Sequence, residues 1–151
     1  MPRSLFDPSD HQDIVTRLDR LRPDLPPRWG GMSAGQMVCH LADYFDVALG
    51  RVEARSAFPR WIQAIMRPVL VHWPFRYPRG VRTLPELRRT EPTAFADDLA
   101  RLLTAITEFA AQADRETWPP NPVAGSVSGR EWAVLAFAHV DHHLTQFGVR
   151  I

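Results

Sequence analysis

At 151 residues the chain is long enough to bury a core as one domain, 1–151, without structural disulfides. With 45% apolar and 23% charged residues it has the composition of a soluble globular protein, and a formal net charge of +1 gives no global pull toward nucleic acid. The single cysteine, Cys39, excludes an intramolecular disulfide and fits a reducing cytoplasm; the N-terminus lacks the apolar core of a signal peptide, and no run approaches the roughly 18 apolar residues of a membrane span.

Residues 9–22 predict a first amphipathic helix, capped by Ser9 or Asp10, with Ile14, Val15, Leu18 and Leu21 as its buried stripe. His11 falls in its polar first turn, a solvated or capping position. Pro23, Pro26, Pro27 and Trp29-Gly30-Gly31 then break the chain into a loop. Ser33 and Gln36 form a capping box that opens a second helix, expected to run to about Leu49 and to close at Gly50. On its wheel His40 shares a face with Ser33, Gln36, Met37, Tyr44 and Val47, with Asp43 at the margin.

Residues 51–89 differ in character. They hold nine arginines against Glu53 and Glu86, a charge of +7, while the rest of the chain sums to −6. Phe58, Trp61, Trp73, Phe75 and Tyr77 are interleaved among them. A short helix is expected over about 59–66, after which Pro68, Pro74, Pro78 and Pro85 impose an irregular path. A crossover of this length suits a lid or binding wall. Two readings stand level: arginines attracting an anionic small molecule, and a solvated connection whose tryptophans cover the helices. Contact with membrane or nucleic acid ranks behind both.

A third long helix is expected over 93–113, with Phe95, Leu99, Leu102, Leu103, Ile106 and Phe109 inward. Asp97 and Asp98 near its start suit the helix dipole and need no catalytic role. Residues 114–127 form a proline-rich loop. Ser128 and Glu131 are a second capping box, and the helix it opens meets almost no breaker before Gly148. At about 100° per residue, Trp132, Leu135, Ala136, His139, His143 and Gln146 fall on one face. The pattern predicts an all-α protein, a four-helix bundle with one long crossover between its second and third helices.

His139 and His143 are four residues apart, so their imidazoles sit one above the other. A bare His-x-x-x-His pair is weak evidence, and a lone His40 would read as a hydrogen-bonded core residue. Together they make a credible site for zinc, nickel, copper or iron. Three protein ligands leave positions open, as catalytic sites do, and an open cation activates bound water or thiol near neutral pH. Cys39 points away from His40 and reads as a small core residue.

The runs Trp29-Gly30-Gly31-Met32-Ser33-Ala34-Gly35-Gln36-Met37-Val38-Cys39-His40-Leu41-Ala42-Asp43 and His139-Val140-Asp141-His142-His143-Leu144-Thr145-Gln146-Phe147-Gly148 resemble the DinB-like (YfiT-like) superfamily of metal-binding four-helix bundles. Trp73-Pro74-Phe75-Arg76-Tyr77-Pro78-Arg79-Gly80 and Pro85-Glu86 resemble a branch of it of unknown function. The resemblance spans nearly the whole chain. It implies an up-down-down-up bundle and a nickel, zinc or iron site on His40, His139 and His143. It also implies frequent homodimers and, in some branches, transferase or isomerase activity using a low-molecular-weight thiol.

Three residues border this constellation. His142, about 60° from His139 and about 100° from His143 on the wheel, reads as supporting or surface rather than as a fourth ligand. Gln146 lies one turn beyond His143, where orienting a ligand or substrate and simple packing are equal readings. Asp43 suits a hydrogen bond to an imidazole or bound water, with an exposed carboxylate the safer reading. His72 is undecided. Two functions follow: a metal-dependent enzyme acting on an anionic small molecule, in its most specific form a thiol-dependent transferase or detoxification activity, and a non-catalytic metal-binding or stress-associated bundle.

Overall fold

The computed structural model describes residues 1–72 and 77–150; Trp73, Pro74, Phe75 and Arg76 of the crossover lie outside the described residues. Among them are five α-helices: α1 (Pro8–Leu18), α2 (Ala34–Ala48), α3 (Arg60–His72), α4 (Phe95–Ala110) and α5 (Gly129–Gln146). A 3₁₀ turn occupies Pro85–Arg88, and the extended backbone pairs only in an isolated bridge between Asn121 and Gly125. Among the described residues no helix is long and apolar enough to cross a membrane.

Both capping boxes are present. The Ser33 side chain accepts from the Gln36 amide while Gln36 reaches back to the Ser33 amide, and Ser128 and Glu131 do the same for α5. Each box satisfies two amides that a helix start leaves without partners. The first helix starts differently from expectation. Its cap is Asp7, whose carboxylate accepts from the Ser9 and Asp10 amides, because Pro8 takes the first helical position, where a missing N–H costs nothing. Asp10 is turned instead to the Ser4 amide and Arg3.

The third helix overturns a second expectation. It runs through Pro68 to His72 instead of ending near residue 66. A proline within a helix sacrifices one backbone hydrogen bond and crowds the preceding turn. Here α3 is peripheral, with only Gln63 and Val71 buried, so the freed carbonyl lies where water can reach it. Its inward contacts are with α5 and the 114–127 loop, where Gln63 donates to the Pro122 carbonyl at 3.2 Å.

Helix α2 packs on α4, on α5 and on the 3₁₀ turn; α1 packs on α4 and α5. The core is continuous from Leu5 to Val149, with Phe45, Phe109 and Trp132 among its fully buried side chains. Each such large side chain contributes about 1.5–3 kcal/mol of transfer free energy. Two polar ties draw the ends of the chain onto α5: the Leu5 amide donates to the Ala133 carbonyl at 3.1 Å, and buried Arg17 donates to the Val149 carbonyl and to Asp141 at 2.8 Å. These contacts hold the middle of α2 against the second half of α5.

Candidate metal centre

His40, in the middle of α2, meets His139 and His143 on α5. The Nε2 atoms of His40 and His139 are 3.0 Å apart, those of His143 and His139 3.2 Å, and one ring nitrogen from each of the three lies within 4.8 Å of the others. His40 and His143 are buried and His139 is partly exposed.

The far nitrogens decide the chemistry of the near ones. His40 Nδ1 lies 2.8 Å from the Leu87 carbonyl oxygen, which can only accept, so Nδ1 carries the proton. His143 Nδ1 lies 2.8 Å from Gln146 Oε1, and that amide is oriented because its Nε2 donates to the Trp29 carbonyl at 2.8 Å. Both imidazoles therefore direct bare Nε2 lone pairs at His139. A neutral His139 has one ring proton and can satisfy at most one of them.

Protons are a poor remedy for this crowding. Burial depresses the affinity of all three rings for a proton: His40 below the usual histidine range, His143 to about 3, and His139 well below, helped by the neighbouring His143 and His40. A divalent cation fits instead. A metal about 2.0–2.1 Å from each nitrogen, with about 90–109° between its bonds, sets ligand nitrogens about 2.9–3.4 Å apart, matching the two short separations. Three imidazoles without a carboxylate suit zinc, nickel or iron rather than calcium or magnesium.

The flanking residues separate clearly. Gln146 is buried and holds the His143 ring, the arrangement by which an outer hydrogen bond fixes tautomer and orientation. His142 makes no hydrogen bond to the cluster; its ring sits against Trp29, Tyr77 and His143. The exposed-carboxylate reading of Asp43 is corrected: it is fully buried, and it touches neither an imidazole nor the cluster. Its oxygens accept from the Thr90 amide at 2.8 Å, the Thr90 hydroxyl and Arg101 at 3.0 Å. Three residues on from His40, the side chain faces α4 and the 85–90 segment, where Arg101 and Thr90 meet it. Asp43 thus anchors Thr90, three residues after the carbonyl that positions His40. Cys39 is a buried core thiol, its pKa pushed up to about 11 by burial. His72 is exposed at the end of α3, and His11 is half-buried, its Nε2 without a hydrogen-bond partner among the described residues.

Three of the arginines of 51–89 are tied to the helices. Arg51 pairs with Glu108, Arg89 with Asp46 at 2.9 Å, and Arg67 grips Glu131 through two bonds of 2.9 and 2.8 Å. These three pairs answer part of the segment's +7 with acids on its neighbours. Arg79 stacks instead: its guanidinium lies over the Trp29 ring, 4.1 Å from the centroid. With Trp29, Tyr77, Asp141, His142 and Thr145 it lines a cavity of about 80 Å³. Tyr77 joins that cavity to the cluster, its ring 5.8 Å from His139 and 5.9 Å from His142.

Sequence reasoning did not reach Leu87, Trp29, Tyr77 or the role of Tyr44. The Tyr44 ring is set edge-on to His139, with centroids 4.3 Å apart, and its buried hydroxyl has no hydrogen-bond partner among the described residues. Its place one turn beyond His40 on the same α2 face is a signal the sequence did contain.

An all-helical chain with three clustered histidines defines a helical protein able to hold a metal ion. A family model of the DinB superfamily matches residues 9–147, and the chain belongs to that superfamily. Searches of curated proteins and of solved structures found no match.

Proposed function

We infer that this protein is a metal-dependent enzyme whose divalent ion is held by His40, His139 and His143. The single observation behind this reading is the pair of bare Nε2 lone pairs, each locked by a hydrogen bond on the ring's other side, converging on a third imidazole. A cation bound there supplies Lewis acidity and lowers the pKa of a coordinated water or thiol. The chain's own contributions are distinct. Leu87 and Gln146 hold two rings in the ligating tautomer, Tyr44 and Tyr77 wall the site, and burial keeps competing protons off the imidazoles.

The substrate we assign is a small anionic molecule, entering by the cavity at Trp29 and Tyr77. Arg79, stacked on Trp29, keeps the edge of its guanidinium for a carboxylate or phosphate. A low-molecular-weight thiol as co-substrate, and transfer of its sulfur to an electrophile, is the most specific form of the proposal. The cyclic packing of α1 on α4, α4 on α2, α2 on α5 and α5 on α1 favours a four-helix bundle, in the up-down-down-up arrangement, as the scaffold.

Purified protein should contain about one zinc, nickel or iron ion per chain by elemental analysis, with anomalous density between the three rings. The metal-loaded protein, given a small thiol and a panel of electrophiles, should turn over one of them, and His40→Ala should not. Metal binding with no turnover of any substrate by the wild type would favour a non-catalytic metal-binding protein.

A further inference from the structure

The Tyr44 hydroxyl is the feature the ligand set leaves unexplained. The residue is 6% exposed, and its oxygen meets no donor or acceptor among the described residues. A buried hydroxyl without a partner is destabilising, and a tyrosine in a core normally finds one. Its surroundings account for the ring: Phe45 lies 5.4 Å away, Trp132 5.8 Å and His139 4.3 Å between centroids, all edge-on. They do not account for the oxygen.

Helix geometry says where that oxygen belongs. Tyr44 follows His40 by four residues on α2, so the two side chains lie on one face, and a helical side chain leans back over the turn before it. That turn carries His40. Tyr77 also lies against His139 and His142. The phenol is therefore held beside the imidazoles whose Nε2 atoms face inward, in the apolar wall of the same site.

We propose that Tyr44 is a ligand-positioning residue whose hydroxyl donates a hydrogen bond to a small anionic oxygen, nitrogen or sulfur ligand seated against the three imidazoles. The inference rests on the metal reading above. It adds a neutral donor that distinguishes lone-pair ligands from apolar ones at the open side of the site.

The test uses the full chain loaded with cobalt(II), whose visible bands report ligand exchange, titrated with azide as the probe anion. Tyr44→Phe keeps the ring and removes only the hydroxyl. The variant should bind cobalt in full and bind azide at least about tenfold more weakly, the loss expected for one hydrogen bond to a charged ligand. The metal-free variant should melt no lower than metal-free wild type, because no internal hydrogen bond is lost. Unchanged azide affinity in a fully loaded variant would overturn the proposal while leaving the metal site intact. A lower melting temperature of the metal-free variant would overturn it too, by showing that the hydroxyl has a structural partner. Wild-type protein that takes up no cobalt would overturn the metal reading, and this inference with it.

Discussion

Three residues apart on α2, His40 and Asp43 head two buried polar clusters completed in opposite ways. The Asp43 carboxylate is surrounded by donors: a backbone amide, a hydroxyl and a guanidinium. Every strong acceptor there has been answered by the protein itself. Around His40 the far nitrogens of His40 and His143 are answered, and the near side presents nitrogen to nitrogen at 3.0 and 3.2 Å. The first arrangement is a structural tie. The second is a cluster able to hold a cation. Burial and helix are the same, so the distinction lies in whether the polar atoms are satisfied from within.

Substitutions can break that contrast. The largest effect is expected at the histidines: His139→Ala should lower metal affinity by more than about a hundredfold, beyond what loss of an outer hydrogen bond costs, while the metal-free fold survives. Full metal content in that variant would remove His139 from the site. Asp43→Ala should do the reverse, costing about 2–4 kcal/mol in urea unfolding. The figure falls short of a fully buried pair because the Arg101 side chain is 35% exposed and keeps Asp46 at 2.8 Å. Its metal affinity should fall only modestly, through the loosened 85–90 segment. Loss of less than about 1 kcal/mol would mean that Asp43 is not the tie described here.

Smaller changes sharpen the comparison. Gln146→Ala frees the His143 ring without touching a ligand, and isothermal titration should show metal affinity reduced about ten- to a hundredfold. An unaltered affinity would show that packing alone orients the ring. The pH response of the metal-free protein should separate the clusters by window. The folded value of His143, about 3, lies below its ordinary 6.5, so in that interval the unfolded chain binds a proton that the folded chain refuses. Its contribution is full above about pH 6.5 and is lost as pH falls toward 3. Asp43, buried but held below its ordinary 3.8 by Thr90 and Arg101, contributes stability above that value and loses it on further acidification. Urea midpoints measured against pH should therefore show a shallower upper slope in His143→Gln, with His40 and His139 still contributing, and a shallower lower one in Asp43→Asn. Identical profiles in the two variants would contradict the assignment.

Much of the scaffold was legible because its signals are local. A capping box spans three residues, and both Ser33–Gln36 and Ser128–Glu131 are formed as written. The wheel through Trp132, His139 and Gln146 placed these residues on one face, and the structure turns that face to α2 and the 27–31 loop. Failures occurred where a local rule met a tertiary one. Pro68 should have ended α3, yet a peripheral helix tolerates the lost bond. Asp43 read as exposed because nothing nearby in sequence answers a carboxylate; its partners Thr90 and Arg101 are 47 and 58 residues away. The arginine-rich crossover read as a wall or a solvated connection; three of its arginines are tied to Asp46, Glu108 and Glu131, and Arg79 stands beside the cavity.

By itself the sequence determined which segments are helical, which faces are apolar, and that three imidazoles stand on inward faces, since periodicity and capping act within a few residues. Only the tertiary structure decided which ring nitrogen carries each proton, because the Leu87 carbonyl and the Trp29 carbonyl that orients Gln146 come from loops distant in the chain. It also left the Tyr44 hydroxyl without a hydrogen-bond partner among the described residues. Directional hydrogen bonds between remote segments exist only once the helices have packed, and they turn three histidines into one candidate site.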